Sequence, residues 1–145
     1  MTLLLASALA SGAQDGGSDK SAIESLITEF NSATALNDFD RLFALFAKNG
    51  DYGVGGSAPV AAGTAIRQVP PKKLPWDERM PLAMRIQKIQ FIRPDVALVD
   101  AIQSDSSPMT GDSRKWSCTF VFVRVGREWK IASYRESLIT ARYAR

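Results

Sequence analysis

Four β-branched and aromatic runs, each bounded by turn signals, fill the second half of this chain and commit it to a sheet. Leu82–Ile92 and Val96–Ser104 flank Arg93-Pro94-Asp95, where proline fixes the first bend of a turn. Trp116–Arg124 and Trp129–Ile139 flank a loop that contains Gly126. Consecutive runs joined by short turns pair as antiparallel hairpins. The polar stretch Asp105–Ser113, with Pro108 and Gly111, is a long loop between the two hairpins.

The first half reads differently. Ile23, Leu26, Ile27, Phe30 and Ala33 recur at helical spacing, so a helix is expected from about Asp19 to Leu36. Ser21 with Glu24 forms a capping-box pattern, and Asp19 is an alternative N-cap. After Asn37-Asp38, the residues Leu42, Phe43, Leu45 and Phe46 predict a second, shorter helix that ends near Asn49-Gly50. Asp51–Gly56 follows as a short strand running into a glycine-rich loop. No lysine–serine pair follows those glycines, which disfavours a phosphate or nucleotide site. Gly63–Val69 predicts a third short helix, stopped by Pro70-Pro71. Lys72–Pro81 is irregular and carries Trp76, a candidate for the mouth of a cavity.

Composition narrows the chemistry. The chain has 145 residues, which is one domain's worth, and 46% of them are hydrophobic, enough for a core. It has no histidine, so no histidine base, metal ligand or triad partner exists. Its single cysteine, Cys118, excludes an intrachain disulfide. Nothing points to a cofactor. The net charge of +3 is modest, and the aromatic residues belong to inward strand faces, which disfavours nucleic acid. That charge is split: residues 1–63 carry three basic and seven acidic groups, and residues 64–145 carry fifteen and eight.

Strand residues alternate sides, so the faces follow from hairpin register. If Arg124 lies opposite Trp129, one face holds Trp116, Cys118, Phe120 and Phe122 with Trp129, Ile131, Ser133 and Arg135. This aromatic face must be the core side. The other face then holds Thr119 and Val121 with Ala132 and Tyr134. Pairing Phe91 with Val96 likewise puts Arg85, Gln87 and Ile89 beside Leu98, Asp100 and Ile102. Arg135 and Asp100 are therefore two charges expected on inward faces, where a charge is costly unless paired or wet. They can close the core as a salt bridge or form the polar floor of a ligand cavity.

The order of elements resembles the nuclear transport factor 2-like superfamily, and the local wording is similar to its SnoaL-like and ketosteroid-isomerase-like branch. The likeness is carried by Phe39–Phe46 with Gly50-Asp51-Tyr52, by Gly63–Arg67, by Ile89–Val99, and by Phe120–Ser137 with its Gly126–Ser133 centre. It implies an α+β fold in which a strongly curved, mostly antiparallel sheet wraps around N-terminal helices as a cone with an internal pocket. It also implies a homodimer through the outer sheet face. Isomerase-like members use an aspartate base with tyrosine and acid donors; Asp100 and Tyr52 are the candidates here, though the spacing does not reproduce that set. Where family members often carry histidine or glutamine, this chain has Arg135, a permanent cation. That points to an anionic ligand group or to a structural partner such as Asp100.

The expected function is therefore an exported, non-catalytic domain that binds a small apolar or anionic molecule in the cone. Arg135 is the foremost ligand contact, with Asp100, Gln87, Ser133, Cys118 and Trp76 behind it. The alternatives are an isomerase or hydrolase with an Asp100 base and an Arg135 anion stabiliser, and a protein-interaction module using the outer face. Export to the periplasm or medium is expected from the apolar Leu3–Leu9 stretch and the small-x-small pattern Ala8-Leu9-Ala10, which lack the usual basic start. Residues 1–18 are read as signal and leader, 19–140 as the domain and 141–145 as a tail. No run reaches the roughly 20 apolar residues of a membrane span.

Overall fold

The computed structural model describes residues 15–64, 83–106 and 113–139. Helices α1 (Asp15–Ala35) and α2 (Phe39–Ala44) lead into strands β1 (Phe46–Val54), β2 (Val60–Ala61), β3 (Ala83–Arg93), β4 (Val96–Ser106), β5 (Ser113–Val125) and β6 (Glu128–Leu138). They form one six-stranded sheet in the order β2-β1-β6-β5-β4-β3. β1 runs parallel to β6, and every other pairing is antiparallel. Among the described residues, no helix is long and apolar enough to cross a membrane.

Helix α1 lies on the inner face of this curled sheet because its apolar stripe is continuous. Ile23, Ile27, Phe30 and Ala33, spaced three or four apart, are all buried against Val99, Phe120, Phe122 and Ile131. Each large side chain so buried stabilises the fold by about 1.5–3 kcal/mol in transfer free energy. The helix starts earlier than its capping signals predict, at Asp15. Ser21 therefore lies inside it, where its carbonyl accepts from Ser25 Oγ at 2.9 Å. Asp19 is not a cap either. Its carboxylate accepts the indole N–H of Trp129 at 3.1 Å and pairs with Arg124, which ties the helix to the β5–β6 hairpin.

The second helix stops at Ala44, five residues short of its expected end. Asp38 caps its start by accepting from the Arg41 N–H at 3.1 Å. The apolar run Leu42–Phe46 suits a helix or a strand equally, and tertiary pairing decides. The Ile131 N–H donates to the Leu45 carbonyl at 2.9 Å, and Phe46 pairs with Ile131 to begin β1. Of the third expected helix, Gly63 and Thr64 are helical, with Ala62 before them, and residues 65–69 lie outside the described residues.

Both hairpins form where the sequence places them, but bulges change their faces. In the last hairpin Arg124 does lie opposite Trp129, and Phe122 opposite Ile131. The ladder then shifts, so that Val121 faces Ser133, Phe120 faces Tyr134, Thr119 faces Arg135 and Cys118 faces Glu136. Ala132 is the extra residue. Downstream of it Tyr134 and Glu136 turn inward, while Ser133 and Arg135 turn outward. An unbroken register would bury the Arg135 guanidinium in an apolar core and expose the Tyr134 ring, so the bulge is the cheaper arrangement. Tyr134, expected on the outer face, is instead only 1% exposed.

In the earlier hairpin Arg93 lies opposite Val96 and Phe91 opposite Ala97, one residue away from the expected pairing. A second irregularity between Ile86 and Lys88 leaves Gln87 out of the ladder. The small residues Ala97, Val99 and Ala101 are buried beneath α1, so Leu98, Asp100 and Ile102 point outward.

Candidate functional site

The inner face changes character along β5 and β6. Around Phe122 and Ile131 it is apolar; beyond Phe120 it gathers polar atoms. Tyr134, Cys118 and Glu136 occupy adjacent inward positions on the paired strands. The Tyr134 hydroxyl donates to Glu136 Oε2 at 2.7 Å, and its oxygen lies 3.4 Å from Cys118 Sγ. Tyr52, opposite Tyr134 in the parallel β1–β6 pair, stacks on it with centroids 5.0 Å apart. Phe30 and Phe120 close the other sides of the Tyr134 ring, each with centroids at 4.8 Å. Gln103, buried, and Trp116, half-buried, continue the same face across β4 and β5.

The electrostatics follow from this packing. Burial first, and then the charge of Glu136, push the Tyr134 and Tyr52 hydroxyls well above the usual phenol range. Burial also raises the Cys118 thiol, against the hydrogen bond from Tyr134. All three groups are thus neutral near neutral pH, and the thiol is shielded from reaction by burial and by its protonation. The site consists of one carboxylate held by a tyrosine hydroxyl within an aromatic wall.

Only part of the expected set lies here. Cys118 and Tyr52 are present. Arg135 and Ser133 sit on the outer face, where the Arg135 guanidinium binds Asp51 through two hydrogen bonds of 2.8 and 3.0 Å. Asp100 is also on the outer face and accepts from Thr119 Oγ1 at 3.1 Å. Asp100 and Arg135 flank Thr119 on neighbouring strands, but the carboxylate that holds Arg135 is Asp51. Gln87 is exposed at its bulge, with its amide 3.4 Å from the Arg85 carbonyl. Trp76 lies outside the described residues. Tyr134, Glu136 and Gln103 are the residues that sequence reasoning missed. The cost of burying Arg135 was itself the signal that the register had to break before it.

The Asp51–Arg135 pair has a testable pH signature. Arg135 holds the Asp51 carboxyl below its ordinary value of 3.8. A depressed carboxyl contributes stability above its unfolded value and loses it as pH falls through the folded one. Both side chains are more than a third exposed, so the contribution is at most about 1 kcal/mol. Asp51→Asn is expected to unfold slightly earlier than wild type at neutral pH, with the gap closing below pH 3.8 in thermal melts. A gap that widened on acidification would contradict the pairing.

A groove of about 480 Å³ lies elsewhere, between α1 and the β5–β6 turn. Three of its charged groups have structural partners: Arg124 stacks on Trp129 at 4.8 Å and pairs with Asp19, and Lys130 donates to the Ala44 carbonyl.

The comparisons agree with this architecture. A family model described as a SnoaL-like domain matches residues 23–141. Among solved structures, a ketosteroid isomerase-like protein from Erwinia carotovora atroseptica superposes with a TM-score of 0.64 at 16% identity, covering 83% of this chain and 95% of that one. A domain of unknown function with a cystatin-like fold from Nostoc punctiforme gives 0.69 at 14% identity, covering 88% and 81%. An NTF-2 like protein of unknown function from Shewanella oneidensis gives 0.68 at 12% identity, covering 82% and 98%. At such identities these likenesses concern the fold. No protein of curated function matches the chain in sequence. With its helices on the inner face of a curled, mostly antiparallel sheet and a family match over most of its length, the chain belongs to the SnoaL-like domain family.

Proposed function

We propose that this protein binds a small, largely apolar molecule at the polar end of its inner sheet face, without turning it over. The observation that carries the proposal is the Tyr134–Glu136–Cys118 cluster, a carboxylate and its donor set beside a largely aliphatic and aromatic face. Glu136 is half-buried, and drawing a carboxylate even partly out of water costs free energy that an apolar residue at that position would not. A few convergent polar groups in an apolar surround are what orient a small ligand. With Arg135 and Asp100 on the outer face, an isomerase-type use of that pair within the cone loses its geometric support.

Two further parts of the proposal rest on sequence and surface. Export is supported by the Leu3–Leu9 stretch with its small-residue pattern. Pairing with a second copy through the outer face is supported by Val96, Leu98, Ile102, Val121 and Val123, which the single chain leaves only half-buried. Occupation of that face by a second copy would also remove it as a docking surface for other proteins.

The test is native mass spectrometry of protein purified from its natural source, with the N-terminus read in the same spectrum. A small adduct of fixed mass, lost in Glu136→Leu and kept in Arg135→Ala, is the expected result. An adduct lost in Arg135→Ala but kept in Glu136→Leu would move the site to the outer face. A spectrum without any adduct on freshly isolated protein, together with turnover of a found substrate, would overturn the non-catalytic proposal.

A further inference from the structure

The cluster's hydrogen-bond inventory restricts what can sit against it. Tyr134 has one hydroxyl proton, and the 2.7 Å contact to a carboxylate takes it in preference to the 3.4 Å contact to sulfur. The Cys118 thiol has a single, weakly donated proton, which goes to the Trp116 carbonyl at 4.0 Å, and its sulfur lies 3.4 Å from the Tyr134 oxygen. Among the described residues, Tyr134 is the side chain that donates to Glu136. A carboxylate has about four acceptor positions, so Glu136 keeps acceptor capacity after Tyr134 has bound. Tyr134 donates its proton to Glu136 and the thiol is a weak donor, so what these two strands offer most strongly here is acceptance and negative charge.

Among the described residues, Arg135, Arg124 and Arg114 do not reverse that balance. Arg135 is on the other side of the sheet with Asp51. Arg124 is at α1's start with Asp19. Arg114 is two inward positions beyond Cys118, about 13 Å along the strand, and stacks on Trp116 at 5.3 Å. Around Glu136 itself stand Tyr52, Tyr134 and Cys118, and the electron-rich faces of aromatic rings favour a cation further.

We infer that the inner-face site selects a ligand presenting a hydrogen-bond donor, above all an ammonium group, on an apolar frame. This deepens the proposed small-molecule binding and rests on it. It replaces the anionic ligand that an inward Arg135 would have implied. The contact is a charge-assisted hydrogen bond from the ligand nitrogen to Glu136, with the ring or chain of the ligand against the aromatic wall.

Three probes of one shape separate the possibilities: benzylamine, benzyl alcohol and benzoate, titrated into the full chain and followed by backbone amide shifts at Gln103, Cys118 and Glu136. Benzylamine is expected to bind at least about tenfold more tightly than benzoate, with the alcohol between, which is the size of one charge-assisted hydrogen bond. The chain's net charge of +3 favours the anion non-specifically, so this order runs against the background. In Glu136→Gln the three affinities should converge, and in Arg135→Ala the order should persist. Equal affinities at these amides, or benzoate binding most tightly there, would overturn the donor selectivity while leaving inner-face binding standing. Failure of all three probes to move these amides would overturn inner-face binding, and the selectivity with it. The wild-type series decides the matter even if Glu136→Gln does not fold.

Discussion

Phe120→Ala is expected to cost about 3–5 kcal/mol, the range for removing a large aromatic side chain from a packed core. Phe120 is completely buried and sits between both halves of the fold. Its ring meets Phe30 of α1 edge-on at 5.1 Å, Tyr134 of β6 at 4.8 Å and Phe122 of its own strand at 5.7 Å. The cavity left behind can collapse little, because the helix on one side and the strand on the other are each held by further contacts. A domain of this size is typically stable by only about 5–15 kcal/mol, so the variant should lose a large fraction of its stability. Urea unfolding followed by tryptophan fluorescence would show a large fall in midpoint at unchanged slope. A loss below about 1 kcal/mol would mean that the helix does not pack on the sheet as described.

Tyr134 carries the second large effect, and two substitutions divide its ring from its hydroxyl. Tyr134→Ala removes a buried ring in contact with Phe30, Phe120 and Tyr52, and should cost about as much as Phe120→Ala, roughly 3–5 kcal/mol. Tyr134→Phe keeps the ring and deletes the donor to Glu136, which should cost about 1–2 kcal/mol, since a half-buried carboxylate can recover a water. In the double variant Tyr134→Phe with Glu136→Leu most of that smaller loss should return, because neither partner is left unmatched. The measurement is a double-mutant cycle in urea. A full loss in the double variant would show that hydroxyl and carboxylate act independently.

The strands were legible because their signals are local. Pro94 and Gly126 mark the turns, and Gly126 adopts the positive φ of 64° that a tight turn favours. The helical stripe from Ile23 to Ala33 was equally plain, since its spacing alone identifies the buried face. What sequence did not reveal was each bulge. An extra residue such as Ala132 has no compositional mark, yet it exchanges the two sides of everything after it. An unbroken register places Arg135, Ser133 and Tyr134 on the wrong side for that one reason. The pairing of β1 with β6 was also hidden, because Phe46 sits in an apolar run that suits a helix, and only the distant Ile131 backbone makes it a strand.

The bulge at Ala132 has a consequence for the order in which the molecule acquires its chemistry. Taken alone, the segment from Ser113 to Ile139 has no helix to cover Tyr134 and no β1 to bring Tyr52 against it. Its least costly pairing is then the unbroken one, with Arg135 and Trp129 on the same side. Only when Phe30 and Tyr52 arrive is there a reward for turning Tyr134 under them and Glu136 with it. The inward placement of the carboxylate therefore depends on contacts from distant parts of the chain and not on the hairpin alone. A released hairpin, however well formed, would display the opposite set of functional groups.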